Sequence, residues 1–213
     1  MKKIILLFTI SCFLFHFANA QINKGAVLLG TDFNLGSRTS TGNSVETTDR
    51  YGYINISLGK AFKNNNVIGI NFSYTSSKNQ LPDNQNYSII DLRRTSAGIF
   101  YRKYKPLSKH FLIYGETGVG YFSSKQEASS NTINNNFPNE KTWGFNGYFS
   151  AGLSYQICNK IQFNVSVPLV NANYSHTNTT SSGTSTTSNG YAIGTQINGQ
   201  IYSWFQYGFR FIF

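Results

Sequence analysis

The chain has 213 residues, of which only 12% are charged and 16% aromatic, with 18 Lys and Arg against 8 Asp and Glu. A soluble domain usually carries about 25% charged residues, yet a mean hydropathy of -0.27 rules out a uniformly apolar chain. Beyond the first 20 residues no run of about 18 apolar residues occurs, which excludes a transmembrane helix, and an open sheet cannot satisfy its edges in lipid. If the mature chain spans a membrane, it does so as a closed barrel.

Lys2 and Lys3 form a positive start, Ile4 to Phe17 an apolar stretch, and Ala18-Asn19-Ala20 a small-residue cleavage site. This predicts a secretory signal peptide over residues 1–20 and one mature domain over 21–213, beginning at Gln21. A lipoprotein signal at Thr9-Ile10-Ser11-Cys12 is the weaker reading, because Phe13-Leu14-Phe15 continues the apolar run past the cysteine. Cys12 leaves with the signal, so Cys158 has no internal disulfide partner and no cysteine metal cluster can form. Cys158 is expected as a small buried or interfacial filler in a turn.

Eight segments then alternate apolar and polar residues with period two, the mark of a strand with two unlike faces. Segment one, about 25 to 36, sets Val27, Leu29, Thr31, Phe33 and Leu35 against Gly30, Asp32, Asn34 and Gly36. Segments two (about 51 to 61) and three (about 66 to 77) set Ile54, Ile56, Ile68 and Phe72 against Asn55, Ser57, Asn71 and Ser73. Segments four and five run from about 89 to 104 and 110 to 122. Segment six, about 143 to 156, opposes Phe149 and Leu153 to Asn146, Ser150 and Ser154. Segment seven, about 160 to 174, opposes Phe163, Val165, Val167 and Leu169 to Gln162, Asn164 and Ser166. The eighth ends the chain and starts near Tyr191 or Gly199.

Connections alternate as well. Residues 61 to 66, 105 to 109 and 157 to 159 are short and carry turn residues such as Asn64-Asn65, Pro106 and Asn159. Residues 37 to 50, 77 to 88, 123 to 142 and 175 to 190 are longer, polar, and read as loops; the Thr- and Ser-rich stretch 177 to 190 reads as a mobile surface loop. An even number of strands with short turns at one end and long loops at the other predicts an all-β, eight-stranded antiparallel up-and-down transmembrane β-barrel in an outer membrane. Both termini then lie on the periplasmic side.

The last strand has an aromatic residue at every odd position from Phe205 to Phe213. It resembles the terminal strand of bacterial outer-membrane barrels, which the assembly machinery of that membrane recognises, so Phe209, Phe211 and Phe213 are the expected assembly signal. The stretches Tyr53-Ile54-Asn55-Ile56-Ser57-Leu58-Gly59 and Asn65-Asn66-Val67-Ile68-Gly69-Ile70 resemble the second hairpin of the Bacteroidota outer-membrane β-barrel family. Gly98-Ile99-Phe100-Tyr101-Arg102-Lys103-Tyr104, then Pro106 and Gly115-Glu116-Thr117-Gly118-Val119-Gly120-Tyr121, resemble its central hairpin. That family is similar in architecture to small OmpX-like and OmpA-like barrels. The resemblance implies place and fold, and most such proteins have no assigned activity.

An arginine facing lipid near mid-membrane costs about 2–4 kcal/mol, so Arg102 and Arg210 are assigned to the lumen. The same parity brings in Arg94, Phe100, Tyr114 and Glu116, and Asp32 faces inward beside the terminal strand. Asp32, Arg94, Arg102, Glu116 and Arg210 are therefore the expected lumen polar network. The reading is a packed polar plug that neutralises its own charge. A proton or ion path is the alternative.

No catalytic, cofactor or metal residues are assigned. Enzymes among small outer-membrane barrels act on lipid acyl chains with His beside Ser or Asp. Here His110 sits at a turn without an acid nearby, and Ser175-His176 on a strand point to opposite faces. A lipid-modifying enzyme and a narrow diffusion pore are kept as alternatives to a non-enzymatic structural or surface-interaction role.

Removing Lys2 and Lys3 leaves 16 basic residues against 8 acids in the mature chain. Lys24, Lys60, Lys63, Lys103, Lys105, Lys109 and Lys160 gather at the short-turn end, where lysines reach lipid head groups. Arg38, Arg50, Lys78, Arg93, Lys125 and Lys141 lie near the opposite rim, where lipopolysaccharide phosphates are the expected partners. Outer-membrane lipids, the assembly machinery and an extracellular ligand of the long loops complete the expected partners; nucleic acid is excluded by location.

Overall fold

A computed structural model describes residues 21–42, 45–83, 86–130, 139–181, 184–195 and 205–213. The expected signal peptide lies outside the described residues. The strands are β1 (Val27–Gly42), β2 (Val45–Lys63), β3 (Asn66–Asp83), β4 (Asn86–Pro106), β5 (Phe111–Ser130), β6 (Asn139–Cys158), β7 (Ile161–Ser181), β8 (Thr184–Thr195) and β9 (Gln206–Ile212).

Each of β1 to β7 pairs antiparallel with the next, and β9 pairs with both β7 and β1, which closes the ring. The ring closes through β9 as its eighth strand; β8 pairs with β7 alone among the described strands and is exposed along its whole length. β8 pairs with Val170 to Ser181 at the long-loop end of β7, and β9 pairs with Ile161 to Ser166 at the short-turn end. From Thr195, opposite Val170, to Gln206, opposite Ser166, the chain advances 11 residues while β7 retreats only 4. The eighth strand of the sequence reading is thus two segments with extra residues between them.

All four expected long loops are largely strand among the described residues. The β1–β2 ladder runs unbroken to Gly42↔Val45 and the β3–β4 ladder to Asp83↔Asn86. The β4–β5 ladder reaches Ser88↔Ser130. The stretch read as a mobile loop forms the β7–β8 hairpin, from Val170↔Thr195 to Ser181↔Thr184. These segments lack an apolar face, which removed the alternation signal, but their threonines suit a pleated backbone and antiparallel pairing satisfies main-chain groups along each hairpin.

Outward positions carry Ile54, Ile68, Phe72, Phe149, Leu153, Phe209 and Phe211, all exposed. Inward positions carry the buried Asp32, Asn55, Ser57, Arg102, Glu116, Ser150, Ser154, Gln162 and Arg210. The molecule is therefore apolar outside and polar inside, the reverse of a soluble domain. The alternation breaks once within β7. Phe149 opposes Val170 while its neighbour Ser150 opposes Pro168, so Leu169 is the extra residue of a bulge. Proline cannot donate to a ladder and is confined to edges and bulges. Below the bulge the even positions face inward; above it Asn171 and Asn173 do. Cys158, expected as a buried or interfacial filler, is exposed at the end of β6, where the last register shift leaves it outside the wall.

Candidate functional site

The lumen is built in three layers. At the short-turn end an apolar cluster of Ile22, Leu28, Ala61, Val67, Phe100, Tyr104, Leu112 and Tyr114 fills the cross-section. Ile22 precedes β1 and is 1% exposed. Asn65, in the two-residue β2–β3 turn at φ 63°, a backbone state asparagine tolerates, holds it there. Ile22 N donates to Asn65 Oδ1 at 3.0 Å, and Asn65 N donates back to Ile22 O at 2.8 Å. Lys24 N donates to Asn64 Oδ1 at 2.9 Å and Gly25 N to Ala61 O at 2.7 Å. The segment before the first strand thus corks the barrel.

Above the cork lie two ion pairs. Arg102 on β4 and Glu116 on β5 are direct register partners. Arg102 directs Nε and Nη2 at Glu116 Oε2, while its Nη1 donates to Tyr104 Oη at 3.0 Å. The Tyr114 ring lies 4.6 Å from the guanidinium carbon, so the cation also rests on an aromatic face. The other carboxylate oxygen, Oε1, accepts from Tyr148 Oη at 2.9 Å, and Tyr148 Oη accepts from Asn71 Nδ2 at 3.2 Å.

Arg210 on β9 and Asp32 on β1 form the second pair. Arg210 Nη2 lies 2.7 Å from both Asp32 oxygens, and Nη1 donates to the carbonyls of Thr31 at 3.0 Å and Phe209 at 3.1 Å. Asn55 Nδ2 adds a bond to Asp32 Oδ2 at 3.1 Å. Gly30 makes room for the arginine, since a Cβ there would overlap its side chain. Burying charges in this way is tolerable only because each is paired and further hydrogen-bonded.

The third layer is a cavity of ≈ 540 Å³, lined mainly by Asn, Ser, Thr and Tyr side chains. An eight-position barrel is ordinarily just filled by side chains, and the expected continuous plug is therefore limited to the lower lumen. Small inward residues along the wall (Gly98, Gly120, Ser73, Ser96) leave the space open. Arg94 lines this cavity with its guanidinium carbon 3.8 Å from the centre of the Phe122 ring, and among the described residues it has no acidic partner.

All five lumen residues named from the sequence face inward; two acid–arginine pairs account for four of them, and Arg94 stands apart. Sequence reasoning missed Tyr148, Asn55 and Ile22. Tyr148 and Asn55 share the parity of residues already assigned inward, so counting by twos could find them. Ile22 lies before any alternation and carries no such signal. His176 and Ser175 do face opposite ways: His176 stacks on Trp143 with ring centres 4.9 Å apart, its Nδ1 2.7 Å from Asn189 Oδ1. His110 Nδ1 lies 3.1 Å from Gln156 O in the opposite turn region. Among the described residues no group of three His, Cys, Asp or Glu is placed to hold a metal.

On the outside, Tyr121, Trp143 and Phe145 form an aromatic cluster, with centres 5.7 and 6.5 Å from Tyr121. Four residues nearer the long-loop end, Arg93, Lys125 and Lys141 are consecutive register partners on β4, β5 and β6, all exposed. Arg93 pairs with Asp91 at 2.8 Å and Lys125 pairs with Glu127.

A closed antiparallel ring with an apolar outside, aromatic clusters and a polar lumen defines an outer-membrane β-barrel protein. The chain is similar in fold to the outer membrane protein OprG from Pseudomonas aeruginosa, at 13% identity and a TM-score of 0.50, covering 90% of this chain and 97% of that one. It is also matched, at TM-scores of 0.37 and 0.40, by Ail, the attachment invasion locus protein of Yersinia pestis, and by the translocator domain of the autotransporter NalP from Neisseria meningitidis. Identities there are 13% and 11%, with 89% and 99% of this chain covered against 99% and 93% of the others. No family model and no curated protein sequence matches the chain.

Proposed function

We propose that this protein is a non-enzymatic outer-membrane barrel that presents a rigid strand wall at the cell surface, with both termini periplasmic. The observation that carries this reading is the asymmetry of the barrel: the short-turn end is corked by Ile22, and the opposite end is open and tall. An apolar band ~25 Å tall needs ~11 residues per strand at ~3.3 Å rise and ~45° tilt. β2 to β7 have 18 to 21 residues, so each overshoots the band. Such a wall suits contact with an extracellular ligand more than passage of solutes. The kinship with the Bacteroidota barrels rests on the two hairpin motifs of the sequence.

The Arg93–Lys125–Lys141 row supports lipopolysaccharide phosphates as the lipid partner. Like charges directly opposite one another on adjacent strands are destabilising, and a bridging anion relieves that repulsion. The outward, Trp143-stacked setting of His176 disfavours a Ser–His hydrolytic site.

Planar-bilayer recording tests the central claim. The expected result is no stable conductance from the intact protein; a steady open level would replace this reading with the narrow pore. Adherence to a protein-coated surface by cells displaying the intact chain, against cells whose β7–β8 hairpin is shortened, tests the surface role. Equal adherence would remove it.

A further inference from the structure

We infer that the open layer of the lumen is a binding site for a small, hydroxyl-rich monoanion of the sugar-acid class, with Arg94 taking its carboxylate. The inference rests on the outward orientation of the open end proposed above.

The charge pattern gives the sign of the ligand. Among the described residues four charged side chains line the cavity: Asp32, Arg94, Arg102 and Glu116. Arg102 is spent on Glu116, and Asp32 is held from below by Arg210. Among the described residues that leaves one cation, Arg94, whose guanidinium carbon lies 3.8 Å from the centre of the Phe122 ring rather than beside an acid. A planar guanidinium with its stacking face occupied still presents its edge donors, which match a carboxylate in bidentate geometry. Arg93, its neighbour in sequence, faces outward and pairs with Asp91, so only one of the two adjacent arginines is available to the lumen.

The rest of the lining gives the ligand's body. The amide oxygen of Asn55, a residue 5% exposed, receives no donor from the described residues, and neither does the buried amide oxygen of Asn146. The orientation of Asn55 is set by chemistry: Asp32, ionised beside Arg210, can only accept, so the NH₂ of Asn55 must point at it and Oδ1 must point away. Both oxygens belong to residues that line the cavity and call for donors. Ligand hydroxyls supply donors and also accept from the Ser, Thr and Asn groups of the wall. A volume of ≈ 540 Å³ lies within the range of small-ligand sites, about 300–1,000 Å³. The floor of ion pairs and the cork beneath make it a dead-end site that retains its ligand.

Glucuronate, glucose and glucosamine separate the claims when titrated calorimetrically into the full mature chain folded in detergent. Glucuronate should bind at least about tenfold more tightly than glucose, and glucosamine should bind more weakly than both. In Arg94→Gln the preference for glucuronate should fall to about that for glucose, whereas Arg93→Gln should leave it unchanged. Arg94→Lys, which keeps the charge but not the fork, should lie between. If Arg94→Gln fails to fold, the wild-type side-chain Nε–H resonance of Arg94 decides: glucuronate should shift it and glucose should not. Equal affinity for glucuronate and glucose, no binding of glucuronate at millimolar concentration, or an unchanged preference in Arg94→Gln would each overturn the site. A conducting barrel that nevertheless binds glucuronate would overturn the dead end and the surface reading while leaving the anion site standing.

Discussion

Arg102 and Glu116 stand directly opposite each other on neighbouring strands, and two guanidinium nitrogens converge on a single carboxylate oxygen. The pair is buried, so removing one partner leaves a charge with incomplete compensation. Arg102→Met and Glu116→Gln should each destabilise the barrel by about 3–5 kcal/mol, measured by urea unfolding in detergent. The double variant should cost clearly less than the sum of the two. Additive losses would show that the charges act independently.

Ile22 supplies the next prediction. It is held in the apolar layer by two hydrogen bonds to Asn65, one to the side-chain oxygen and one from the main-chain N–H, outside any strand. Ile22→Ala should cost about 2–4 kcal/mol in the same assay, since the cavity it leaves is walled by fixed strands. Far-ultraviolet dichroism should stay unchanged, and current through a bilayer should become detectable as the cork loosens.

These two cases mark how far the sequence carried. Arg102 and Glu116 were legible because strand parity, a short turn around Pro106 and the cost of a lipid-facing arginine all point the same way. The apolar outer face was legible for the same reason. The cork was not, because a single residue before the first strand has no period. The upper hairpins were not, because strand residues outside a membrane need no apolar face and lose the alternation that reveals them. The open cavity was hidden as well: it depends on which small residues align across β3, β4 and β5, a property of register rather than of any one segment.

Gly118 and Tyr148 are register partners on β5 and β6, and a Cβ on the glycine would lie 2.6 Å from the tyrosine ring. Tyr148 donates to Glu116, so crowding it also disturbs the ion pair. Gly118→Ala should destabilise by about 1–3 kcal/mol through overpacking. Adding Tyr148→Ala should recover part of that loss, which a stability measurement on the double variant checks.

The terminal residue is exposed, and it closes the ring with two main-chain bonds, Val27 N to Phe213 O at 3.0 Å and Phe213 N to Val27 O at 2.9 Å. Deleting Phe213 removes both and one aromatic of the proposed assembly signal. The folded, heat-modifiable fraction in the outer membrane should fall severalfold, while Phe213→Tyr, which keeps the ring and the bonds, should assemble normally. Normal assembly of the deletion would remove Phe213 from the signal.

The bulge at Leu169 makes the sharpest statement about the wall. Below it, Gln162, Asn164 and Ser166 face the lumen; above it, Asn171 and Asn173 do, a change of parity that needs one extra residue. Spin labels at Val165 and Val170 should therefore report lipid, and labels at Asn164 and Asn171 should report water, although Val165 and Val170 differ by an odd number. Deleting Leu169 leaves Ser150 opposite Pro168 and Phe149 opposite Val170 as consecutive pairs, which restores period two along β7. That deletion should therefore fold, with Asn171 and Asn173 still facing the lumen and the label pattern unchanged. Deleting Ala172, in the regular ladder above the bulge, must instead turn Asn171 or Asn173 to lipid or slip the register against β6 and β8, so it should fold poorly. Lipid contact at Asn171 in the Leu169 deletion would show that Leu169 is not the extra residue.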